Sequence, residues 1–181
     1  MIQIWMGLLA TVMILVGHGE AQSCKPEPRG RFHNLARGRP AFQSSLYPLE
    51  NIGLASKAVD GNCNGDWSIK SCIHTNDDYE PWWYVDLEAE YAIATVVVKN
   101  REDCCRERLG GAQIRVGNYG GNNSKSNFLC GTITDTRADS MSTISCYGSK
   151  GRYVSINIPG RKEWLHVCEV EVYGTKVYGQ G

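Results

Sequence analysis

The chain predicts an all-β fold, a β-sandwich or jelly roll, and three observations predict it. Apolar residues recur in short runs with a period of two; Gly, Asn and Pro punctuate those runs at close intervals; and beyond residue 21 no long stretch carries a helical period.

The strands are justified in order. Trp83, Val85 and Leu87 alternate with Tyr84 and Asp86, the pattern of a strand with one buried face. Tyr91 to Val98 is rich in Ile, Val and Thr, residues that fit a pleated surface. Ile114 to Val116 is brief and ends at Gly117, and Tyr153 to Ile158 stops at Pro159. Val167 to Tyr173 sets Glu169 and Glu171 on one face and Val170 and Val172 on the other. The Gly-rich stretch from Gly117 to Lys125 reads as a surface loop and carries the sequon Asn122-Asn123-Ser124.

Residues 1–21 read as a secretory signal peptide. Trp5 to Val16 is almost entirely apolar, and Gly19-Glu20-Ala21 offers small residues at the cleavage spacing. The run falls short of the ~20 residues a membrane-spanning helix needs. Residues 22–36 are expected to form a loosely held arm, residues 37–181 one domain, and the final residues to fray. Without Glu20 the remaining chain holds 19 Lys and Arg against 18 Asp and Glu, a net charge of +1. No basic stripe or acidic tail supports a nucleic-acid or polyanion partner.

Eight cysteines, at 24, 63, 72, 104, 105, 130, 146 and 168, follow the signal segment. An even count in that context implies disulfides, and no paired C-x-x-C knuckles point to zinc. Cys104 and Cys105 are adjacent. Cα atoms one peptide apart lie ~3.8 Å from each other, closer than the ~4.4–6.8 Å of ordinary disulfides. Either each pairs with a distant cysteine, or they bridge each other at the cost of backbone strain, which is more often kept at functional sites than elsewhere.

His74, followed after 26 residues by Arg101-x-Asp103-Cys104-Cys105-x-x-Arg108, resembles the sugar-binding motif of the F-type lectins, or fucolectins. The similarity runs through most of residues 37–173. It includes Ala58-Val59-Asp60-Gly61-Asn62, Pro81 to Leu87, Ala112 to Gly117 and Leu165 to Tyr173. The Trp82-Trp83 and Gly151-Arg152-Tyr153-Val154 patterns are shared with the wider discoidin-like (galactose-binding-like) domains and speak for fold alone.

The resemblance implies that His74, Arg101 and Arg108 hydrogen-bond the hydroxyls and ring oxygen of α-L-fucose. Arg suits this as a fixed fork of donors, and His as a donor or acceptor. A Cys104–Cys105 bridge would lie against the apolar edge of the sugar, with soft sulfur meeting C–H groups. Asp103 is expected to orient an arginine. Tyr47 and Trp67 sit in loops that correspond to the wall facing the fucose methyl.

The resemblance also implies a structural Ca2+, held by Lys57, Asn62 and Cys168 through backbone oxygens and by Asp60, Ser71 and Glu169 through side chains. Carboxylates with carbonyl oxygens are the donor set such a hard cation takes. It implies the pairs Cys72–Cys168, Cys130–Cys146 and Cys104–Cys105. Cys24 and Cys63 lie outside that pattern, free to pair with each other or, for Cys24, to bridge subunits.

The function expected is a secreted lectin for fucosylated glycans, in innate immune recognition and as a homotrimer by family analogy. An alternative is a discoidin-type domain binding membrane phospholipid or matrix protein. Catalysis is not expected: glycoside hydrolysis needs two carboxylates flanking the bond, and Asp103 and Glu107 read as arginine partners.

Overall fold

The computed structural model describes Cys24 and residues 33–49 and 52–177. The expected signal peptide, most of the arm and the last residues lie outside the described residues. Eight strands follow in order: β1 (Ala41–Gln43), β2 (Asp77–Tyr79), β3 (Trp82–Lys99), β4 (Gln113–Gly117), β5 (Phe128–Thr132), β6 (Met141–Asn157), β7 (Lys162–Trp164) and β8 (Glu169–Lys176). Helix among the described residues is confined to short 3₁₀ turns at Ala55–Val59, Trp67–Ile69, Arg106–Leu109 and Gly121–Ser126.

The period-two pattern explains β3. Trp83, Val85 and Leu87 are buried while Trp82, Tyr84 and Asp86 face outward. The strand does not stop at the Glu88-Ala89-Glu90 segment as the two separate runs in the sequence imply. It continues for 18 residues, with register shifts between Asp86 and Tyr91 and between Ile93 and Thr95. Glu88 takes a left-handed backbone (φ 64°), and its N–H is held by Asp86 Oδ1 at 2.8 Å. Such bulges bend a strand and raise its twist.

The bend splits the pairing of β3. Its first half lies between β1 and the C-terminal half of β6; its second half lies between β8 and the N-terminal half of β6. The sheet order is β1-β3-β6-β4-β5, with β8 also on β3, and β2 pairs with β7 separately. Trp83, Val85, Ile114, Val116, Val154 and Ile156 from one half and Val96, Val98, Val170 and Val172 from the other share one core. Each such fully buried side chain contributes about 1.5–3 kcal/mol. This is the predicted all-β sandwich.

The chain's cysteines pair as Cys24–Cys63, Cys72–Cys168, Cys104–Cys105 and Cys130–Cys146. Cys24 thus closes onto its own chain. The segment 33–36, placed in the arm by sequence, is well anchored: Leu35 N–H donates to Val172 O (2.8 Å), Asn34 Oδ1 accepts from Val172 N–H (3.0 Å), and Ala36 is fully buried. The 117–125 stretch is also more ordered than a plain loop. Asn122 is exposed, but Ser124 is buried in its 3₁₀ turn, with its hydroxyl accepting from Asn157 Nδ2 at 3.0 Å.

Candidate functional site

The extended segments 71–75 and 165–169 lie side by side. Ile73 N–H donates to Val167 O (2.9 Å) and Thr75 N–H to Leu165 O (3.0 Å). Those bonds make Cys72/Cys168 and His74/His166 the intervening non-hydrogen-bonded pairs, where opposed side chains approach most closely. The first pair is disulfide-bonded, with Cα atoms 3.8 Å apart. The second brings two imidazoles to 5.1 Å between ring centroids. Both histidines are buried.

Local structure at the end of β3 turns the arginines toward them. Asn100 caps this turn, its side chain accepting from Arg101 N–H (2.8 Å) and donating to Arg106 O (3.0 Å). Cys104 and Cys105 are bonded to each other, and Cys105 sits in left-handed backbone at φ 57°. A side chain is rarely tolerated there, so the bridge holds local strain next to the site. The 3₁₀ turn Arg106–Leu109 follows and buries Leu109, and Arg161 Nη2 grips the carbonyls of Arg108 and Gly110 at 2.8 Å.

Arg101 is buried and makes a fork with Asp103, Nε to Oδ1 at 2.7 Å and Nη2 to Oδ2 at 2.6 Å. The guanidinium holds the Asp103 carboxyl down to about 2, chiefly through those hydrogen bonds. Asp103 Oδ1 also accepts from Trp67 N–H (3.1 Å), which brings the Trp67 ring 5.0 Å beneath the Arg101 guanidinium. Arg108 lies over Trp164 at 4.5 Å, its Nε 3.6 Å from Glu163 and its Nη1 3.4 Å from His166 Nε2. The carboxylate beside Arg108 is therefore Glu163 on β7, not the adjacent Glu107 that the sequence reading paired with an arginine.

The geometry fixes the state of His74. Its Nδ1 lies 2.7 Å from Thr75 O, which can only accept, so Nδ1 carries the proton and Nε2 is left as an acceptor. Burial lowers its pKa, and the neighbouring Arg101 and Arg108 lower it further against the opposing Thr75 carbonyl. His74 is therefore neutral at pH 7. Tyr47 and Trp67 both pack on its ring, at 4.3 and 5.5 Å between centroids. The result sets two guanidinium donor groups and one imidazole acceptor among aromatic rings, with the Cys104–Cys105 bridge in the loop between the two arginines, an arrangement suited to a neutral, hydroxyl-bearing ligand.

A second cluster lies by the turn at 57–62. Gly61 N–H donates to both oxygens of Glu169 (3.1 and 3.2 Å), Lys57 Nζ meets Asp60 Oδ2 at 3.2 Å, and the Cys72–Cys168 bridge places Ser71 beside Cys168. Glu169 is 1% exposed, and burial pushes its carboxyl up to about 9, with Asp60 and Glu171 adding to the shift. A buried acid with further acids beside it offers the carboxylate oxygens that a hard divalent cation takes. Cys24, Cys63 and Glu171 also converge, but both thiols are consumed by their disulfide.

Comparison with known proteins places this arrangement. The family model described as "NedA-like, galactose-binding domain" matches residues 57–156. Fucolectin-5 of Anguilla japonica is 43% identical over 142 residues, covering 77% of this chain and 75% of its own. The chain belongs to the fucolectin family.

The F-lectin (fucolectin) from the serum of Morone saxatilis, the striped bass, is 42% identical with a TM-score of 0.75, over 81% of this chain and 48% of that one. The Pentraxin fusion protein of Xenopus laevis is 34% identical over 140 residues, 33% of its length. The chain thus spans about half of one of these longer relatives and a third of the other. Among its described residues, no helix is long and apolar enough to cross a membrane. In this fucolectin chain, His74, Arg101, Asp103, Cys104, Cys105 and Arg108 were singled out by sequence; His166, Glu163 and Trp164 were not. The missed residues come from a segment more than 50 positions beyond the motif. The mirrored spacing Cys72-x-His74 and His166-x-Cys168 was a sequence signal for His166, and it says nothing of Glu163 or Trp164.

Proposed function

We propose that this chain is a lectin that binds L-fucose-terminated glycans. The observation that carries the reading is the convergence of a neutral imidazole and two guanidiniums, with a vicinal disulfide in the loop between the two arginines. A sugar hydroxyl both donates and accepts. The Nε2 of His74 would take the proton of one hydroxyl, while Arg101 and Arg108 donate to its lone pairs, to a neighbouring hydroxyl and to the ring oxygen. Asp103 keeps Arg101 in position rather than facing the sugar. The Cys104–Cys105 bridge has no N–H or O–H to satisfy and would meet the C–H edge of a deoxy sugar. Binding without catalysis follows from this assignment, since Asp103 and Glu163 are engaged with arginines.

The reading includes a structural Ca2+ held by the carboxylates of Asp60 and Glu169, the Ser71 side chain, and backbone oxygens of Lys57, Asn62 and Cys168. The cation would take the place of the proton that burial leaves on Glu169 and so tie down the turn on which Cys72 and His74 depend. Secretion fits the signal-like residues 1–21 and the disulfides. Trimeric assembly and a part in innate recognition of fucosylated surfaces complete the proposal. Weak single sites gain ~10²–10⁴ when several engage together.

A glycan array probed with the purified protein, with Ca2+ and after EDTA, tests the reading. Signal confined to fucosylated glycans and weakened by EDTA is expected. Blank fucose positions alongside binding to phospholipid vesicles would instead favour the discoidin-type alternative.

A further inference from the structure

We propose that His166 is a positioning residue of this sugar site: by accepting a hydrogen bond from Arg108, it sets which guanidinium donors remain for the ligand. The inference rests on the fucose-binding reading above and extends it to a residue outside the motif.

Three observations carry it. First, an arginine can only donate, so the 3.4 Å contact between Arg108 Nη1 and His166 Nε2 makes Nε2 the acceptor and places the ring proton on Nδ1. Second, that Nδ1 is buried without a hydrogen-bond partner among the described residues. An unpaired buried donor costs stability that a leucine of similar volume would not. The imidazole is therefore better explained by what its other nitrogen does than by packing. Third, the ring has little freedom to turn. His166 is 1% exposed, its neighbours Leu165 and Val167 are bonded to Thr75 and Ile73, and the Cys72–Cys168 bridge locks the next pair along.

Arg108 needs such a guide more than Arg101 does. Arg101 has a two-bond fork to Asp103. Arg108 has the face of Trp164 and a Glu163 oxygen 3.6 Å away, which is an ion pair without hydrogen-bond geometry. A guanidinium on an indole can still rotate in its own plane. The bond to His166 removes that rotation and aims the remaining N–H groups.

Arg108→Lys supplies the control, because a lysine keeps the charge but has no fork to aim. Binding of L-fucose is read from tryptophan fluorescence, with Trp67 and Trp164 as reporters. His166→Leu should weaken binding about tenfold, and His166→Gln, whose side-chain oxygen can replace Nε2, should restore it to within about threefold. In an Arg108→Lys background, His166→Leu should change binding little further. Proton–nitrogen correlation spectra of the wild-type protein should show the His166 ring protonated at Nδ1 and bare at Nε2. This reading needs no substitution and stands even if the Leu chain does not fold. The proposal is overturned by an Nε2–H ring, by unchanged affinity in His166→Leu, or by an equal loss with and without Arg108. Absence of fucose binding by the wild-type protein would instead overturn the sugar-site reading, which separates the two failures.

Discussion

Around His74, both guanidiniums are already matched: Arg101 by the Asp103 fork and the Trp67 face, Arg108 by Glu163, Trp164 and His166. At the 57–62 turn the balance is reversed. Glu169 is buried with Asp60 and Glu171 nearby, and its carboxyl is pushed to about 9. The first cluster can stand without a ligand and offers spare donors to an uncharged one. The second holds a carboxyl that burial keeps protonated at neutral pH, and a cation bound there would have to displace that proton. The two share a backbone, since the 71–75 and 165–169 segments supply His74 and His166 to one and Ser71, Cys168 and Glu169 to the other.

The largest expected effect comes from breaking what they share. Replacing Cys72 and Cys168 together by Ala opens a bridge with a sequence separation of 96, which the chain-entropy account values at about 4–5 kcal/mol. Urea unfolding should show that loss, against about 3 kcal/mol for Cys130 and Cys146, separated by 16. Equal losses would mean that the shared ladder is no more critical than a hairpin staple.

Next, Ca2+ at a hundred times its dissociation constant should stabilise the wild-type protein by about 2.7 kcal/mol in the same assay. Glu169→Gln should abolish that response while leaving the calcium-free protein folded. A retained response in Glu169→Gln would move the cation elsewhere.

Arg108→Ala should weaken L-fucose binding by about 1.5–3 kcal/mol, measured by calorimetry, the value of a hydrogen bond to a charged group. Unchanged affinity would remove Arg108 from the site.

The smallest effects are in pH. Asp103 has its pKa lowered to about 2 in the fold, so its contribution is whole above the unfolded carboxylate value and is lost as pH falls through about 2. Asp103→Asn should therefore cost ~1 kcal/mol at pH 5 and almost nothing near pH 2. His74, with its pKa also lowered, contributes fully above about pH 6.5 and loses that contribution as pH falls. Fucose affinity should then be flat from pH 7 to 8 and decline below 6.5 in wild type and Asp103→Asn alike. A decline absent from Asp103→Asn would assign the acid sensitivity to Asp103 rather than to His74.

The sequence exposed the pocket unevenly, for physical reasons. Arg101, Asp103, Cys104, Cys105 and Arg108 are contiguous, so one turn brings them together and one motif reveals them. Glu163, Trp164 and His166 reach the same place only through long-range pairing, which no local pattern encodes. In the fold, the buried faces of β3 and β8 were plain because Val and Ile alternate there. The N-terminal half of β6 was hidden, since Ser142, Thr143, Ser145 and Ser149 give it no apolar period; its strand character comes from the partner it meets in β3. Three-residue strands such as β1, β2 and β7 are too brief for any period to register.

A slip of one position between two extended segments would turn every side chain to the opposite side. The sulfur–sulfur bond between 72 and 168 forbids that slip in the 71–75 and 165–169 segments. The covalent link thus works as an alignment pin: it guarantees that the imidazoles two positions away meet each other, and keeps them facing whether or not a sugar is there to hold them.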